Sequence, residues 1–445
     1  MNETKLAAVV MAAGLGTRMR SSVPKHLHPL LGRRMVDWVL ATAREAGVEQ
    51  LVVVSSAAVA DAFEGVSVAV QEEPLGTGDA VRSARPSLDG HAHDVLVLSG
   101  DTPLVTADLL RELVEAHRES GAAATVLSFE LDEPGNYGRL LRNGNGGLEA
   151  IVEAGDATAE QLAVREVNSS IYVFRAAELW PVLDRLEPRN AQGELYLTDS
   201  VALLVADGGE VAVHKTSHQE EAIGVNTRAE LAEAAARLRD RINETHMLAG
   251  VTIVDPQSTW IDADVEIQPD AVLHPFTVLR GASKVASGAE IGPHAVLVDA
   301  QVGEGATVGP FCYLRPGTVL EAGARAGTFV EIKNATIGQG AKVPHLSYVG
   351  DAEIGDETNV GAGSITANFA HEPGRPKGRT TIGRNVRVGV NTVFVAPVEV
   401  GDEAWTAAGS VITEDVPADA LAIARARQVT KEGRAGKGSG GDRDD

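Results

Sequence analysis

An aliphatic or small residue returns every six positions through the second half of this chain: Val302, Val308, Leu314, Leu320, Ala326 and Ile332. The register slips by one and continues at Ile337, Val343 and Val349. It slips again at Ile354 and Val360, and resumes at Ile382, Val388, Phe394 and Val400. A period of six suits a coil of three short strands and three turns, about 18 residues per circuit, with each aliphatic residue stacked inside on its copy one coil away. Glycine follows the aliphatic residue at Gly303, Gly338, Gly355, Gly383 and Gly401, where it is expected to supply turn geometry. A sandwich of short strands is the alternative, but its strands usually recur every 8–12 residues. The period therefore predicts a parallel β-helix. The sextet breaks between Gly363 and Thr380, so the polar, Pro-rich stretch 368–379 is expected as a loop outside the prism. Residues 418–426 are placed to close the last coil, and 431–445, charged and Gly-rich, are expected to be disordered.

Before residue 250 the grammar differs. Apolar runs at Leu6–Met11, Leu51–Ser55, Val95–Ser99 and Ala123–Phe129 read as buried strands. Helical patterns at Met35–Ala46 and Thr106–Ser120 alternate with them, which predicts an α/β domain with a mainly parallel sheet. Such sheets bind ligands beyond the carboxyl ends of their strands. The Ala-, Glu- and Arg-rich stretch Thr227–Met247 reads as a connecting helix. The expected organisation is a first domain over 1–226, a linker helix over 227–247, a β-helix over 248–430 and a tail over 431–445.

Composition removes several function classes. The 445 residues carry 39 Lys and Arg against 62 Asp and Glu, a net charge of −23. A chain this acidic is not expected to bind nucleic acid or a membrane surface, both polyanionic. Cys312 is the only cysteine, so an intrachain disulfide and a cysteine-rich zinc site are excluded. That usage fits a reducing cytosol, and a cytoplasmic location is expected. The first apolar run is short and followed by a Gly-rich turn, so it reads as a strand and not as a signal peptide.

Three segments of the first half carry chemistry. Gly14-Leu15-Gly16-Thr17-Arg18-Met19 follows the first strand, with Pro24-Lys25 close behind. Its glycines let backbone N–H groups approach a triphosphate. Arg18 can fork two phosphate oxygens and Lys25 adds a point charge. Ser99-Gly100-Asp101 ends a buried strand, where a carboxylate suits Mg²⁺ bridging phosphates. Leu75-Gly76-Thr77-Gly78 is a second tight turn able to read a base through its backbone. Asn226 ends another apolar run as a candidate second metal ligand. An ordinary strand-to-helix turn and a helix-capping Asp remain the plain readings of each segment taken alone.

In the second half, large polar residues interrupt a bland prism: Arg315, Lys333 and His345. Lys333 follows Arg315 by 18 residues, one coil, so the two are expected to stack as a phosphate-binding edge. A solvated charged face is the plain alternative. A histidine titrates near neutral pH, which suits His345 to take a proton from an amine attacking a thioester.

Taken together, the GLGTRM segment with Pro24-Lys25, the LGTG turn and Gly100-Asp101 resemble the sugar-phosphate nucleotidyltransferases. With the hexapeptide prism, the whole chain up to its tail resembles the bacterial bifunctional N-acetylglucosamine-1-phosphate uridylyltransferase / glucosamine-1-phosphate acetyltransferase family. Tyr137-Gly138-Arg139, Ile151-Val152-Glu153, Glu166-Val167-Asn168, Gln192-Gly193-Glu194 and Gly224-Val225-Asn226 extend the match. The resemblance implies a Rossmann-like α/β nucleotidyltransferase domain followed by a left-handed parallel β-helix of hexapeptide repeats. It implies UTP and acetyl-CoA as substrates, Mg²⁺ as cofactor and a homotrimer. The product, UDP-N-acetylglucosamine, would feed peptidoglycan, lipopolysaccharide and other cell-envelope polymers.

Residue by residue, the resemblance puts Met11, Ala12, Ala13, Gly14, Lys25, Gln71, Gly76, Thr77, Ser99 and Gly100 around the nucleotide. Asp101 and Asn226 would hold the metal, and Gly138, Glu153 and Asn168 the amino sugar. Arg18 and Lys25 would be catalytic in uridylyl transfer, and His345 the general base of acetyl transfer. Arg315, Lys333, Tyr348 and Asn359 would line the second sugar-phosphate site, with Glu331 orienting His345. Asn368, Phe369, Val390, Ala408 and Arg425 would bind acetyl-CoA.

The sequence departs from the family at several of these points. Asn368-Phe369-Ala370-His371 replaces the usual Asn-Tyr-Asp-Gly, the loop over 372–379 is about three residues longer, and Val390 takes a position often held by Ser. Ser99 stands where Tyr is frequent, and Ala154-Gly155 where a Lys is often near. One competing reading is a single-activity nucleotidyltransferase, for glucose- or mannose-1-phosphate, whose prism serves only regulation and assembly; another, which the changes at Phe369 and Val390 support, is a non-catalytic prism acting as a trimerisation module. The set Arg315, Lys333 and His345 argues against the first, because a scaffold does not need them.

Overall fold

The structure is a computed structural model describing residues 5–14, 16–88, 90, 92–369 and 377–433. Leu15, Ala370, His371, loop residues 372–376 and tail residues 434–445 lie outside the described residues. The chain divides into two compact units, Met1–Leu238 and Arg239–Asp445.

The first unit is built on a nine-stranded sheet. In chain order its strands are β1 (Leu6–Met11), β2 (Gln50–Ser56), β3 (Ser67–Gln71), β4 (Asp94–Ser99), β5 (Ala124–Glu130), β6 (Arg139–Arg142), β7 (Leu148–Val152), β8 (Glu166–Arg175) and β9 (Val211–Lys215). Their order across the sheet is β9-β5-β8-β4-β1-β2-β3, with the β6–β7 hairpin paired to β8. β1 runs parallel to both β2 and β4, and β8 is antiparallel to β4 and β5. All six residues of β1 are buried, as expected of a strand covered on both faces. Alternate β1 residues enter two different cores, Ala7 and Val9 on one face, Ala8 and Val10 on the other. The expected helices form as α1 (Met35–Glu45) and α2 (Ala107–Ser120). Thr106 starts α2 by accepting a hydrogen bond from Leu109 N, and Gly121 ends it in the left-handed conformation.

The connecting helix spans Arg228–Leu248, and the division between the units falls inside it. Ala234 and Leu238 join a core with Leu30 and Met35 of the first unit. In the second unit, Ile242 packs on the prism core and Asn243 Nδ2 donates to the carbonyls of Pro256 and Thr259.

The second unit is the parallel β-helix that the period predicts. All fifteen inward positions named above are at most 5% exposed. They stack in register: Val302 on Leu320, Leu314 on Ile332, Ala326 on Val343, Ile337 on Ile354 and Ile382 on Val400. From Ile354 to Ile382 the next coil is reached only after the longer stretch containing 368–379. Leu421–Ala422 pairs with Trp405–Thr406 and completes the last coil.

The glycines work differently from expectation. Gly303, Gly338, Gly355, Gly383 and Gly401 do not adopt positive φ. A Cβ on each would come within 3 Å of backbone atoms in the following coil, so close coil approach excludes a side chain there. Many left-handed corners are instead held by larger residues, among them Phe276, His294, Phe311, Phe329 and Leu346.

Candidate active sites

The first site lies beyond the ends of two adjacent strands. Met11 and Ser99 are register partners at the carboxyl ends of β1 and β4. A cleft of about 440 Å³ opens there, lined by Met11, Ala13, Gly14, Arg18, Lys25, Gln71, Gly76, Thr77, Ser99, Asp101 and Asn226 among others. Two expected contacts, Ala12 and Gly100, do not line it; Ala12 N donates to Val54 O at 2.7 Å, and Gly100 N to Met11 O at 2.9 Å.

Lys25 sits at the centre, buried, its ammonium paired with Asp101 and 2.7 Å from Asn226 Oδ1. Arg18 donates to the same Asn226 oxygen at 2.8 Å. Ser99 Oγ donates to Asp101 Oδ1 at 2.6 Å. Burial pushes the Asp101 carboxyl up, but Lys25 and the other donors outweigh it and hold the group below its ordinary value. Gly16 adopts φ +61°, and a Cβ there would collide with the Lys25 side chain. Gly76 adopts φ +114°, and a Cβ would lie 2.6 Å from Leu195 O. Gln71 Nε2 donates to Gly76 O at 3.0 Å and to Asp79 at 2.9 Å, and Thr77 Oγ1 accepts from Leu197 N at 2.9 Å. The LGTG turn is thereby clamped to the segment around Leu195.

A second cleft of about 390 Å³ shares Arg18, Ser99, Asp101 and Asn226 with the first, and adds Tyr137, Gly138, Glu153 and Asn168. Asn168 N donates to Gly138 O at 2.9 Å and its Nδ2 to the Tyr172 hydroxyl at 2.7 Å. β8 changes register between Asn168 and Tyr172 with Ser170 at φ 63°, which turns Ser170 into both clefts. Burial pushes the Glu153 carboxyl up, against a 3.1 Å hydrogen bond from Thr198.

Asp101 and Asn226 thus present hard oxygens where the two clefts meet, and a cationic nitrogen already bridges them. That donor set fits Mg²⁺, which takes one or two protein oxygens and completes its shell from phosphates and water. Among the described residues no group of three or more His, Cys, Asp or Glu side chains gathers a metal.

The second site is a stretch of prism surface. Arg315 and Lys333 lie on adjacent coils, since Leu314 pairs with Ile332 and Arg315 N donates to Ile332 O. The guanidinium of Arg315 turns to Glu331 at 2.8 Å, so Glu331 orients Arg315 and not the His345 ring. Lys377, then Arg315, hold the Lys333 amine below the usual lysine value. Tyr348 lies beside Glu331 in register, and its ring covers Gly350, the register partner of Lys333. Asn359 bridges Lys342 on a different prism face.

His345 is exposed and heads a column running down successive coils. Gly363 N donates to His345 O, Asn391 N to Ala362 O, and Gly409 N to Val390 O. His345, Ala362, Val390 and Ala408 are therefore aligned, and Arg425 Cδ reaches the neighbourhood of Gly409. Asn368 stands apart from this column: its amide binds Asp351. Phe369 is 69% exposed.

Sequence reasoning missed three residues. His26 is buried under the loop, with Nδ1 lacking a hydrogen-bond partner, and burial lowers its pKa to about 4. Its neighbour Lys25 drew attention and it did not. Ser170 carries no motif, and Lys377 sits in the extruded loop, where no period fixes its place.

Comparison with known proteins adds to this geometry. Residues 8–194 match the MobA-like NTP transferase domain, and residues 379–414 the hexapeptide repeat of succinyl-transferase. The chain is 46% identical to the bifunctional protein GlmU of Caldanaerobacter subterraneus subsp. tengcongensis, across 96% of this chain and 97% of that protein. It is 50% identical to the GlmU of Kineococcus radiotolerans, across 96% of this chain and 91% of that protein. It is 46% identical to a GlmU of Mycobacterium bovis, across 95% and 90%.

Proposed function

The chain belongs to the family of bifunctional GlmU proteins, and on that premise we propose how its residues divide two reactions of UDP-N-acetylglucosamine synthesis. The prism transfers acetyl from acetyl-CoA to glucosamine-1-phosphate. The first unit transfers uridylyl from UTP to the resulting N-acetylglucosamine-1-phosphate and releases pyrophosphate. The observation that carries this assignment is the meeting of two clefts at Arg18, Asp101 and Asn226, with Lys25 bridging the last two from the first cleft.

In the first unit, the nucleotide occupies the cleft between the Gly14–Arg18 loop and the Gly76 turn. The amino sugar occupies the cleft of Gly138, Glu153 and Asn168. A sugar phosphate oxygen attacks the α-phosphorus in line and pyrophosphate leaves. The nucleophile is already anionic, so no general base is needed. Arg18 and Lys25 neutralise the charge that builds on the phosphates, and positioning supplies the rest. Asp101 and Asn226 would hold Mg²⁺, which screens and orients the phosphates.

In the prism, Arg315, Lys333, Lys377 and Tyr348 hold the sugar phosphate. His345 takes the proton as the amine attacks the thioester carbonyl, and CoA leaves as the thiol. Coils stack ~4.8 Å apart, so the column from His345 to Ala408 offers roughly 14 Å of narrow surface for the thioester arm. That surface is open on one side. A homotrimer would close it with a neighbouring prism. The described residues contain no helix long and apolar enough to cross a membrane.

Thiol release from acetyl-CoA, measured with glucosamine-1-phosphate before UTP is added, tests the second activity. Release that depends on the amino sugar is expected. Its absence, with UDP-sugar still formed from N-acetylglucosamine-1-phosphate and UTP, would reduce the prism to a scaffold.

A further inference from the structure

One hydroxyl stands unused where the two clefts of the first unit meet. Arg18, Ser99, Asp101, Ser170 and Asn226 line both clefts. All but Ser170 are already tied together. Arg18 donates to Asn226, Ser99 Oγ donates to Asp101, and Lys25 bridges Asp101 and Asn226. The backbone N of Ser170 donates to Asn168 Oδ1 at 3.1 Å, and among the described residues its hydroxyl makes no hydrogen bond. The residue is half-buried, so one donor and two acceptor sites stay free beside both clefts.

The strand around Ser170 is built to hold it in place. Asn168 of β8 faces Ser128 of β5 and Tyr172 faces Val126, so Ser169, Ser170 and Ile171 stand opposite Leu127 alone. This bulge is pinned from several directions. Asn168 Nδ2 donates to the Tyr172 hydroxyl at 2.7 Å. Ser169 Oγ donates to Leu127 O at 2.7 Å and accepts from Ile171 N at 3.1 Å, and Ile171 is buried in the core. Ser170 alone has a side chain that secures nothing. It adopts φ 63°, a left-handed conformation that glycine takes with less strain. Residues held in this way gather at ligand sites. On its other edge β8 pairs Tyr172 with Val97 of β4, and two residues further toward the carboxyl end of β4 stand Ser170 and Ser99.

We propose, resting on the uridylyl-transfer reading, that Ser170 is a further substrate-binding residue: its hydroxyl donates a hydrogen bond to a phosphate oxygen of the sugar-1-phosphate. Each cleft takes one substrate. The phosphates are the parts that must meet at the junction, because the new bond joins a sugar phosphate oxygen to the α-phosphorus. The sheet order β8-β4-β1 sets the Ser170 bulge and the Arg18 loop on opposite sides of β4. Arg18 and Lys25 bring charge from the β1 side, and Ser170 brings a neutral donor from the β8 side. Its neighbours Asn168 and Ser169 line the sugar cleft and not the nucleotide cleft, which assigns Ser170 to the phosphate of the sugar and not to UTP. Ser99 does not offer the same donor, since its hydroxyl is committed to Asp101. A hydroxyl bound to an ionised oxygen makes a stronger bond than a neutral pair, without adding charge to the site.

Full-length Ser170→Ala and Ser170→Gly proteins separate the hydroxyl from the backbone. Alanine removes the hydroxyl and keeps the strained conformation; glycine removes both. Initial rates of pyrophosphate release are measured with N-acetylglucosamine-1-phosphate and UTP, each varied in turn, and thermal unfolding checks that the variants are folded. Both variants are expected to raise the KM for the sugar phosphate about tenfold, the scale of one hydrogen bond to a charged group. Their kcat and their KM for UTP should stay within about twofold of wild type, as for a contact made equally before and during the reaction. A sugar-phosphate KM that stays at the wild-type value in Ser170→Ala overturns the proposal, even if it rises in Ser170→Gly, because the effect then belongs to the backbone. A rise confined to the KM for UTP overturns it too, since the hydroxyl would then serve the nucleotide. Should the alanine variant fail to fold, the glycine variant, relieved of strain, decides by the same two constants. A wild-type protein that releases no pyrophosphate removes the uridylyl-transfer reading and the role of Ser170 with it. An active wild type beside variants that share its KM values removes only the role of Ser170.

Discussion

The two units build a site in opposite ways. In the first, residues far apart in the chain converge: Arg18 and Asn226, 208 residues apart, share one hydrogen bond at the mouth of a cleft. In the prism, residues recur at fixed steps and stay on the surface, as Arg315 and Lys333 do one coil apart. The convergent site buries its charges and shifts them, as the Asp101 carboxyl and the His26 ring show. The periodic site leaves His345 exposed on a flat face. A sheet end makes a pocket by itself.

The comparison breaks most sharply at Asp101, the carboxylate proposed to hold the metal. Asp101→Ala removes one of the two expected metal oxygens and leaves Lys25 without its buried partner. Uridylyl transfer is expected to fall by ~10³-fold or more, with acetyl transfer intact. Loss of both activities would show that the units do not act separately. His345→Ala is the mirror experiment, with acetyl transfer expected to fall ~10²–10⁴-fold, the usual worth of a general base. Initial rates of thiol release measure it, and survival of the rate would remove His345 from the chemistry.

A third test separates the sites by their burial. The His26 ring is neutral in the folded unit, with its pKa lowered to about 4. In the unfolded chain it titrates near 6.5, so the unfolded state binds more protons between those values and stability falls as pH drops through the window. Urea titrations are expected to show a loss of about 2 kcal/mol in the first unit between pH 7 and pH 5 from this group. His26→Gln should flatten that slope; an unchanged slope would place the proton elsewhere. The smallest effect is expected at Phe369, which is exposed. Phe369→Tyr restores a hydroxyl and should lower the KM for acetyl-CoA by about threefold, the scale of one exposed hydrogen bond. An unchanged KM would mean that Phe369 does not touch the cofactor.

Legibility differed between the units for the same reason. A period of six in the sequence is a period in space, so the inward residues from Val302 to Val400 were placeable one by one. Where the period fails, at 368–379, so does placement, and Lys377 went unnoticed beside Lys333. The left-handed corner residues Phe276, His294, Phe311 and Phe329 were hidden for a different reason. They recur at the coil spacing, but the pattern of inward aliphatics drew the reading away from the outward corner. In the first unit the motifs marked the strand ends, yet nothing local announced that Ser170 would turn into both clefts. The register change in β8 that puts it there depends on pairing with β5. The glycines after the aliphatic residues show a further limit: their positions were legible, but their reason, contact with the next coil, belongs to packing.

The two reactions are assigned to separate sites, one on each unit, linked by a free intermediate. The most direct measurement mixes Asp101→Ala protein with His345→Ala protein and supplies glucosamine-1-phosphate, acetyl-CoA and UTP. Neither variant alone is expected to make UDP-N-acetylglucosamine, and the mixture should make it at a rate set by the amount of each. A mixture that stays inactive, while each variant retains its own half-reaction, would contradict a free intermediate passing between two separate sites.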